Sequence, residues 1–371
     1  MINIAVVFGT RPEAIKLAPV IWELGKHPDR VSARVVVTSQ HREMLDQMLA
    51  AFGIHPDLDM DIMLEGQSLT YVTNEVLGRT SAYLEGNPTD VLLVQGDTTT
   101  AFAAALAAFY HKVDVGHVEA GLRSRDFYDP FPEESNRHLI DVFARFYFAP
   151  TENNRQNLLA EAVPDDRIYV TGNTSIDTLL KIRDRLTPGA PDYLPVSGDG
   201  ERLVLMTAHR RESFGPELEG ICRAVRELVE RNGDVHVVYP VHPNPNVKAT
   251  AERILGGLCR VHLIPPAGYH DFVRLMDAAY VIVTDSGGIQ EEAPSLGKPV
   301  LVIRNVTERT EAIDAGTVKL IGKREEDIIR EIETLLNDGG EYERMARAVN
   351  PYGDGHASER IVKAILENYG Q

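Results

Sequence analysis

Short, almost wholly apolar runs rich in Val and Ile alternate with stretches of helical spacing, and the pattern occurs twice. The first set of runs is Ile2–Phe8, Val35–Thr38, Val91–Val94, Val113–Val118, Phe146–Ala149 and Ile168–Val170. Helical stretches such as Glu13–Leu24, Arg42–Phe52 and Thr98–Tyr110 lie between them. A strand with one solvated face would alternate apolar with polar. Continuous apolar runs instead predict a parallel sheet covered by helices on both faces. Residues 187–200 carry Pro188, Gly189, Pro191, Pro195, Gly198 and Gly200 and read as a linker. The alternation then restarts with Leu203–Thr207, Val235–Tyr239, Val261–Ile264, Tyr280–Thr284, Val300–Ile303 and Val318–Ile321. The chain's 371 residues exceed what one core carries, so two doubly wound α/β domains are expected, at 1–180 and 201–355. No repeat relates the halves.

In such sheets a ligand sits beyond the carboxyl ends of the strands, and two domains leave a cleft between them. Charge narrows the ligand. A formal net charge of −17 repels nucleic acid and anionic membrane surfaces, so neither is an expected partner. Any anionic substrate then needs its cations gathered in one place. Cys222 and Cys259 are the two cysteines. Neither has metal-type spacing, and both are expected as reduced, buried thiols of a cytoplasmic protein. Met1-Ile2-Asn3-Ile4 runs directly into a strand, so no secretory signal is expected. The most apolar helical run, Ala101–Phe109, is far short of the roughly 20 residues that span a bilayer.

After the first strand comes Gly9-Thr10-Arg11-Pro12-Glu13, with Lys16 a turn later. A glycine turn, a proline at a helix start and two cations suit a phosphate, and they suit a surface helix start equally. The three-glycine dinucleotide fingerprint is missing, so no nicotinamide cofactor is inferred. Asp97, in Gln95-Gly96-Asp97-Thr98, could be a helix cap. Glu119, in Glu119-Ala120-Gly121-Leu122-Arg123, has no such explanation, because Gly121 makes a helix start there doubtful. Glu133 and Glu134 follow Pro130 and Pro132 and could be first-turn helix charges. Acidic sites at successive strand ends also make an acid/base set. A metal site is the weaker reading, since His117 lies on a strand and is expected to face the core.

In the second half, His209-Arg210-Arg211-Glu212 follows a strand and suits an anion, or is a solvated basic turn. His242-Pro243-Asn244-Pro245 follows another. Asp285-Ser286-Gly287-Gly288 opens a helix that carries Glu292. Ser286 and the N–H groups of Gly287 and Gly288 could cradle a diphosphate, with Glu292 reaching ribose hydroxyls. An ordinary strand-to-helix turn looks the same. Arg11, Lys16, His209, Arg210, Arg211, His242, Arg304 and Arg309 all fall at or beyond predicted strand ends, which would make a positive pocket in a negative protein.

Taken in order, these motifs resemble the non-hydrolysing UDP-N-acetylglucosamine 2-epimerases. The stretches are Gly9–Lys16, Gln95–Thr98, Gly116–Arg123, Phe131–Glu134 with Asn136-Arg137, Thr171–Asn173, His209–Glu212, His242–Pro245, Asp285–Glu292 and Glu308–Ala312. The resemblance implies a glycosyltransferase-B-type fold of two Rossmann-like domains, the first completed by a C-terminal helix at 356–371. It implies a homodimer, no cofactor and no metal. It also implies interconversion of UDP-GlcNAc and UDP-ManNAc by anti elimination of UDP and re-addition through a 2-acetamidoglucal, supplying ManNAc units for surface polysaccharide. By the same resemblance Asp97, Glu119, Glu133 and His209 are catalytic. Arg11, Lys16, Phe272, Ser286, Gly287, Gly288, Glu292 and Arg309 bind the substrate, Phe272 by stacking on uracil or else as a core residue. Gln40, Gln67, Arg210 and His242 match a regulatory UDP-GlcNAc site.

The rivals are a hydrolysing relative that releases UDP and free ManNAc, a glycosyltransferase of the same fold, and a non-catalytic UDP-sugar sensor. Fold alone separates none of them. The acidic set speaks against the sensor.

Overall fold

The structure, a computed structural model, describes residues 1–40, 42–194, 200–208 and 215–370. Two compact units result. One comprises Met1–Thr178 with Tyr352–Gln371, the other Leu179–Pro351.

The first unit holds a seven-stranded parallel sheet built from β1 (Ile2–Phe8), β2 (Val31–Val37), β3 (Leu58–Asp59), β4 (Val91–Gln95), β5 (Asp114–Val118), β6 (Ala144–Ala149) and β7 (Ile168–Val170), in the order β3-β2-β1-β4-β5-β6-β7. The helices are α1 (Arg11–Leu24), α2 (Arg42–Phe52), α3 (Leu69–Gly86), α4 (Thr99–Tyr110), α5 (Glu133–Phe143), α6 (Glu152–Ala160) and α7 (Thr174–Arg183). The order reverses between β1 and β4, so the loops after these strands diverge and leave a crevice. α4 is rich in alanine. Ala101, Ala103, Ala104, Ala105, Ala107 and Ala108 are wholly buried, and small side chains let the helix backbone approach its neighbours closely.

The second unit is a six-stranded parallel sheet of β8 (Arg202–Thr207), β9 (Val235–Pro240), β10 (Val261–Ile264), β11 (Val281–Thr284), β12 (Val300–Val302) and β13 (Val318–Leu320), in the order β10-β9-β8-β11-β12-β13. Its helices are α8 (Pro216–Arg231), α9 (Pro245–Leu255), α10 (Tyr269–Ala278), α11 (Gly287–Glu292), α12 (Thr310–Asp314), α13 (Glu325–Asn337) and α14 (Gly339–Ala346). Here the reversal lies between β8 and β11.

The last helix, α15 (Ala357–Tyr369), belongs to the first unit. Ile361, Val362, Ile365 and Leu366 are buried. Its start is capped from afar. The buried Asp177 on α7 accepts from the N–H groups of Ala357 (3.1 Å) and Ser358 (2.8 Å) and from the Ser358 hydroxyl (2.6 Å). These are donors that a helix start cannot satisfy internally.

The structure amends several local expectations. β2 begins at Val31, not Val35, because its polar first half pairs with β1 through Ser32 opposite Asn3. β3 has only two residues, both exposed, and leaves no apolar run to recognise. α4 starts at Thr99, and Thr98 is its cap: the Thr98 hydroxyl accepts from Ala101 N–H at 3.0 Å. Cys222 is buried, and burial pushes its thiol up to about 12, but Cys259 is exposed, against expectation. It follows α9 in a short turn, outside any apolar period.

Candidate active site

At the β1/β4 reversal the chain places its first glycine where a side chain cannot go. A Cβ on Gly9 would collide with Thr38 Oγ1. Glu13, the third residue of α1, turns back on this loop. Its Oε2 accepts from Gly9 N–H (3.0 Å) and Thr10 N–H (2.8 Å), and its Oε1 from the Thr98 hydroxyl (2.7 Å). Burial pushes the Glu13 carboxyl above its usual range, and these donors offset part of that shift. Glu13 thus ties the loop after β1 to the loop after β4. It is a structural residue, and its role depends on contacts that the Gly9–Lys16 motif alone does not show.

Glu119, just past β5, sits at φ +70°, a left-handed conformation that costs a non-glycine residue roughly 1–3 kcal/mol. Two bonds hold it there: Glu119 N–H and Ala120 N–H both donate to Phe148 O, at 3.0 and 3.1 Å. The half-buried carboxylate is clamped by Lys16 Nζ, 2.6 Å from Oε1 and 2.5 Å from Oε2. Gln95 Nε2 also donates to it. A strained residue with a cation aimed at its carboxylate differs from a chance surface charge.

Asp97 lies one strand away, after β4. Since Thr98 takes the cap, Asp97 has no capping duty. Its carboxylate, a quarter exposed, receives Arg137 Nε at 2.9 Å and Nη2 at 2.7 Å. Asn136 Nδ2 donates to its backbone carbonyl at 2.8 Å. Arg137 also binds Glu134 (2.7 Å), which accepts from Ser124 N–H and Arg125 N–H at 3.0 and 2.9 Å. Burial would raise the Glu134 carboxyl, but these donors and Arg137 hold it below its usual range. Of the adjacent pair, Glu134 is therefore buried framework. Glu133, at the first position of α5, is half-buried. Arg137 and Gln95 were not singled out as site residues. A glutamine ending an apolar strand, and an arginine one turn after an acidic pair, are the signals that mark them.

Gln40 and Gln67 meet: Gln67 Nε2 donates to Gln40 O at 3.1 Å, and Gln40 Oε1 accepts from the Thr100 hydroxyl at 2.9 Å. Arg11 is half-buried at the start of α1.

In the second unit the turn after β11 lies at the β8/β11 reversal. Ser286 N–H donates to Thr284 Oγ1 at 2.9 Å, and Gly287 and Gly288 form the first turn of α11. First-turn N–H groups have no acceptor within the helix. Arg309 reaches over this turn, so a Cβ on Gly287 would lie 3.1 Å from its Cζ. Arg309 Nε is anchored on Glu291 Oε1 at 2.9 Å. Gln290 links the turn to the 304–309 loop: its Nε2 donates to Ser286 O (3.0 Å) and its Oε1 accepts from the Thr307 hydroxyl (2.7 Å). Glu308 faces Arg304, and although partial burial works the other way, this pairing brings its carboxyl down to about 2. Glu292 lies beside Gly288, its Oε1 3.9 Å from where a Cβ would stand. Phe272 is half-buried on α10. His242 is exposed, its Nδ1 accepting from Asn244 N–H at 3.2 Å. His209 and Arg210, with Arg211 and Glu212, lie outside the described residues.

The family model of UDP-N-acetylglucosamine 2-epimerase matches residues 23–366. The chain belongs to the UDP-N-acetylglucosamine 2-epimerase family. It is 53% identical over 369 residues to the enzyme of that name from Salmonella typhimurium, covering 98% of each chain. It is 52% identical over 373 residues to the one from Escherichia coli, covering 99% of each. The crystal structure of the Neisseria meningitidis UDP-GlcNAc 2-epimerase bound to UDP-GlcNAc is 47% identical, with a TM-score of 0.89 over 99% of this chain and 100% of that one. The expected fold class holds: two parallel Rossmann-like sheets in a glycosyltransferase-B-type epimerase fold. Among the described residues of this family member, no helix is long and apolar enough to cross a membrane. Nor, among them, does any group of three or more His, Cys, Asp or Glu side chains stand where it could hold a metal ion.

Proposed function

We propose that the chain interconverts UDP-GlcNAc and UDP-ManNAc without net hydrolysis, by anti elimination of UDP and re-addition. The observation that carries this reading is the pair of counter-charged carboxylates at adjacent strand ends, Asp97 on Arg137 and Glu119 on Lys16. The C2 hydrogen of the sugar is barely acidic, so direct deprotonation is slow. Elimination across C1–C2 couples removal of that proton to departure of UDP, and return of a proton from the opposite face inverts C2. This needs carboxylates for the two faces, drawn from Asp97, Glu119 and Glu133 with His209, and cations for the departing diphosphate. Lys16 suits both tasks: withdrawn toward a phosphate, it would release Glu119 to act as a base. Arg11, Ser286, Gly287, Gly288 and Arg309 supply further donors to the diphosphate in this reading. Glu292 serves the ribose and Phe272 the base. Residues 1–180 with 356–371 would then be the domain of the carboxylates, and 201–355 the domain that holds UDP.

The test is proton NMR of the purified protein with UDP-GlcNAc in D2O. UDP-ManNAc should form, and both sugars should acquire deuterium at C2. Free ManNAc with UDP would instead give the hydrolysing reading, and turnover without exchange at C2 would exclude elimination.

The reading extends to a cytoplasmic homodimer that supplies ManNAc units for surface polysaccharide. Exposed Phe109, Tyr110 and Val142 in the first unit offer an apolar face for a second copy. The joined pair Gln40–Gln67, with Arg210 and His242, is the proposed regulatory UDP-GlcNAc site. Conversion of pure UDP-ManNAc should then be nearly silent until a trace of UDP-GlcNAc is added, and immediate full-rate turnover would remove that site.

A further inference from the structure

His117 is wholly buried on β5, two residues before Glu119, and both of its ring nitrogens face acceptors. Nε2 lies 2.8 Å from the Gly96 carbonyl oxygen, and Nδ1 lies 2.6 Å from Asp141 Oδ1. A carbonyl can only accept, so Nε2 carries a proton. Burial alone would raise the Asp141 carboxyl, yet His117 and Arg123 outweigh it and hold it below its usual range. Asp141 Oδ1 closes the other side of the ring. Buried polar groups are costly unless they are paired, and here they are paired in a row. Asp141 Oδ2 takes Arg123 Nη2 at 2.6 Å, and Arg123 in turn reaches Glu161 at 2.7 Å.

A histidine that merely filled space would not need this row. What the row reaches is the turn that carries the candidate site. Gly96, at φ +68°, stands between Gln95, which donates to Glu119, and Asp97. Gly96 N–H already donates to Val118 O at 2.9 Å. His117 therefore supplies a further tie between the ends of β4 and β5, and these ends bear Asp97 and Glu119.

We propose that His117, held in place by Asp141, is a positioning residue that fixes the Gln95–Asp97 turn and so the relative placement of Asp97 and Glu119. This rests on the reading of those carboxylates as the proton-handling pair. Two substitutions divide the ring's contacts. His117→Asn keeps a donor near Asp141 and loses Gly96. His117→Gln places its amide nitrogen near the Nε2 position and keeps Gly96.

The experiment measures turnover of UDP-GlcNAc, thermal midpoint and amide exchange at Gly96 and Asp97 for wild type and both variants, with imidazole nitrogen NMR of the wild type. Nε2, which faces the Gly96 carbonyl, should carry a proton. His117→Asn should lose roughly 10- to 100-fold in kcat, as misplacement of reacting groups does. Its KM should stay within a factor of about three, because an interaction felt only in the reacting geometry spares ground-state binding. His117→Gln should recover most of kcat, and exchange at Gly96 and Asp97 should quicken in the Asn variant only. An Nε2 without a proton, wild-type kcat in His117→Asn, or equal losses in both variants that follow the thermal midpoint would each overturn the proposal. If wild type does not turn over UDP-GlcNAc, the reading of the reaction fails by itself. Positioning is then judged without substrate: an Nε2 without a proton, or unchanged exchange in His117→Asn, would overturn it.

Discussion

The two sheets reverse their strand order in the same way, but they furnish their reversal points differently. At β1/β4 the first unit gathers polar side chains, each held by a named partner: Glu119 by Lys16, Asp97 by Arg137, His117 by Asp141. At β8/β11 the second unit shows a small-residue turn, Ser286-Gly287-Gly288, with Arg309 leaning over it. Proton transfer depends on where a carboxylate stands and on its charge state, so its surroundings must be fixed. Holding a diphosphate depends on close approach of backbone N–H groups, and side-chain bulk is what must be absent. Different chemistry should follow from damaging each.

The largest effect is expected from Glu119→Gln, which keeps shape but removes proton transfer. It should lower kcat by roughly 100-fold or more, with the circular dichroism spectrum and UDP affinity unchanged. Near-normal turnover would reduce the Lys16–Glu119 pair to a structural clamp. Glu13→Gln comes next. An amide cannot accept from Gly9, Thr10 and Thr98 together, so stability should fall by about 1–3 kcal/mol, read as a lower urea midpoint. An unchanged midpoint would mean that the loops after β1 and β4 do not depend on this tie. In the second unit, Gly287→Ala must displace Arg309. UDP affinity by calorimetry should weaken about tenfold, or 1.4 kcal/mol, while amide exchange in the first unit stays as it was. Undiminished affinity would take the turn out of the binding account.

The smallest effect concerns Glu308, whose carboxyl falls from 4.5 to about 2 beside Arg304. A depressed folded value contributes stability that is full above pH 4.5 and is lost as pH falls toward 2. Glu308→Gln should therefore lower the thermal midpoint slightly at pH 6, and the difference should vanish near pH 2. More than half of the side chain is exposed, so screening keeps the effect small. A difference that persisted at pH 2 would point to lost packing instead. Glu13 runs the other way. Its raised value means that the native state holds the proton more tightly, so its contribution is full at and below pH 4.5 and declines as pH rises through the raised value.

The alternation of apolar runs with helical stretches was readable because burial on both sheet faces demands apolar side chains along each strand. Those demands are local: β1, β7 and β10 stand where the runs placed them. The candidate carboxylates were readable as positions, since strand ends follow from the same runs. Their partners were not. Lys16 and Glu119 are 103 residues apart, and Arg137 and Asp97 are 40 apart. The strand order β1-β4-β5 brings Lys16 to Glu119, and the packing of α5 after β5 brings Arg137 to Asp97.

The same limit explains Glu133 and Glu134, identical in type and adjacent in sequence. One is buried framework and the other half-exposed, because a helix start rotates neighbouring side chains to different sides. It explains Cys259 as well, since no period marks a turn residue as exposed. Periodicity, family motifs and the α/β class were determined by the sequence alone, because each is written in nearest neighbours along the chain. The charge state and partner of every polar group at the site were decided by tertiary structure, because electrostatic interaction depends on distance in space, and that distance is set by the order in which the strands assemble.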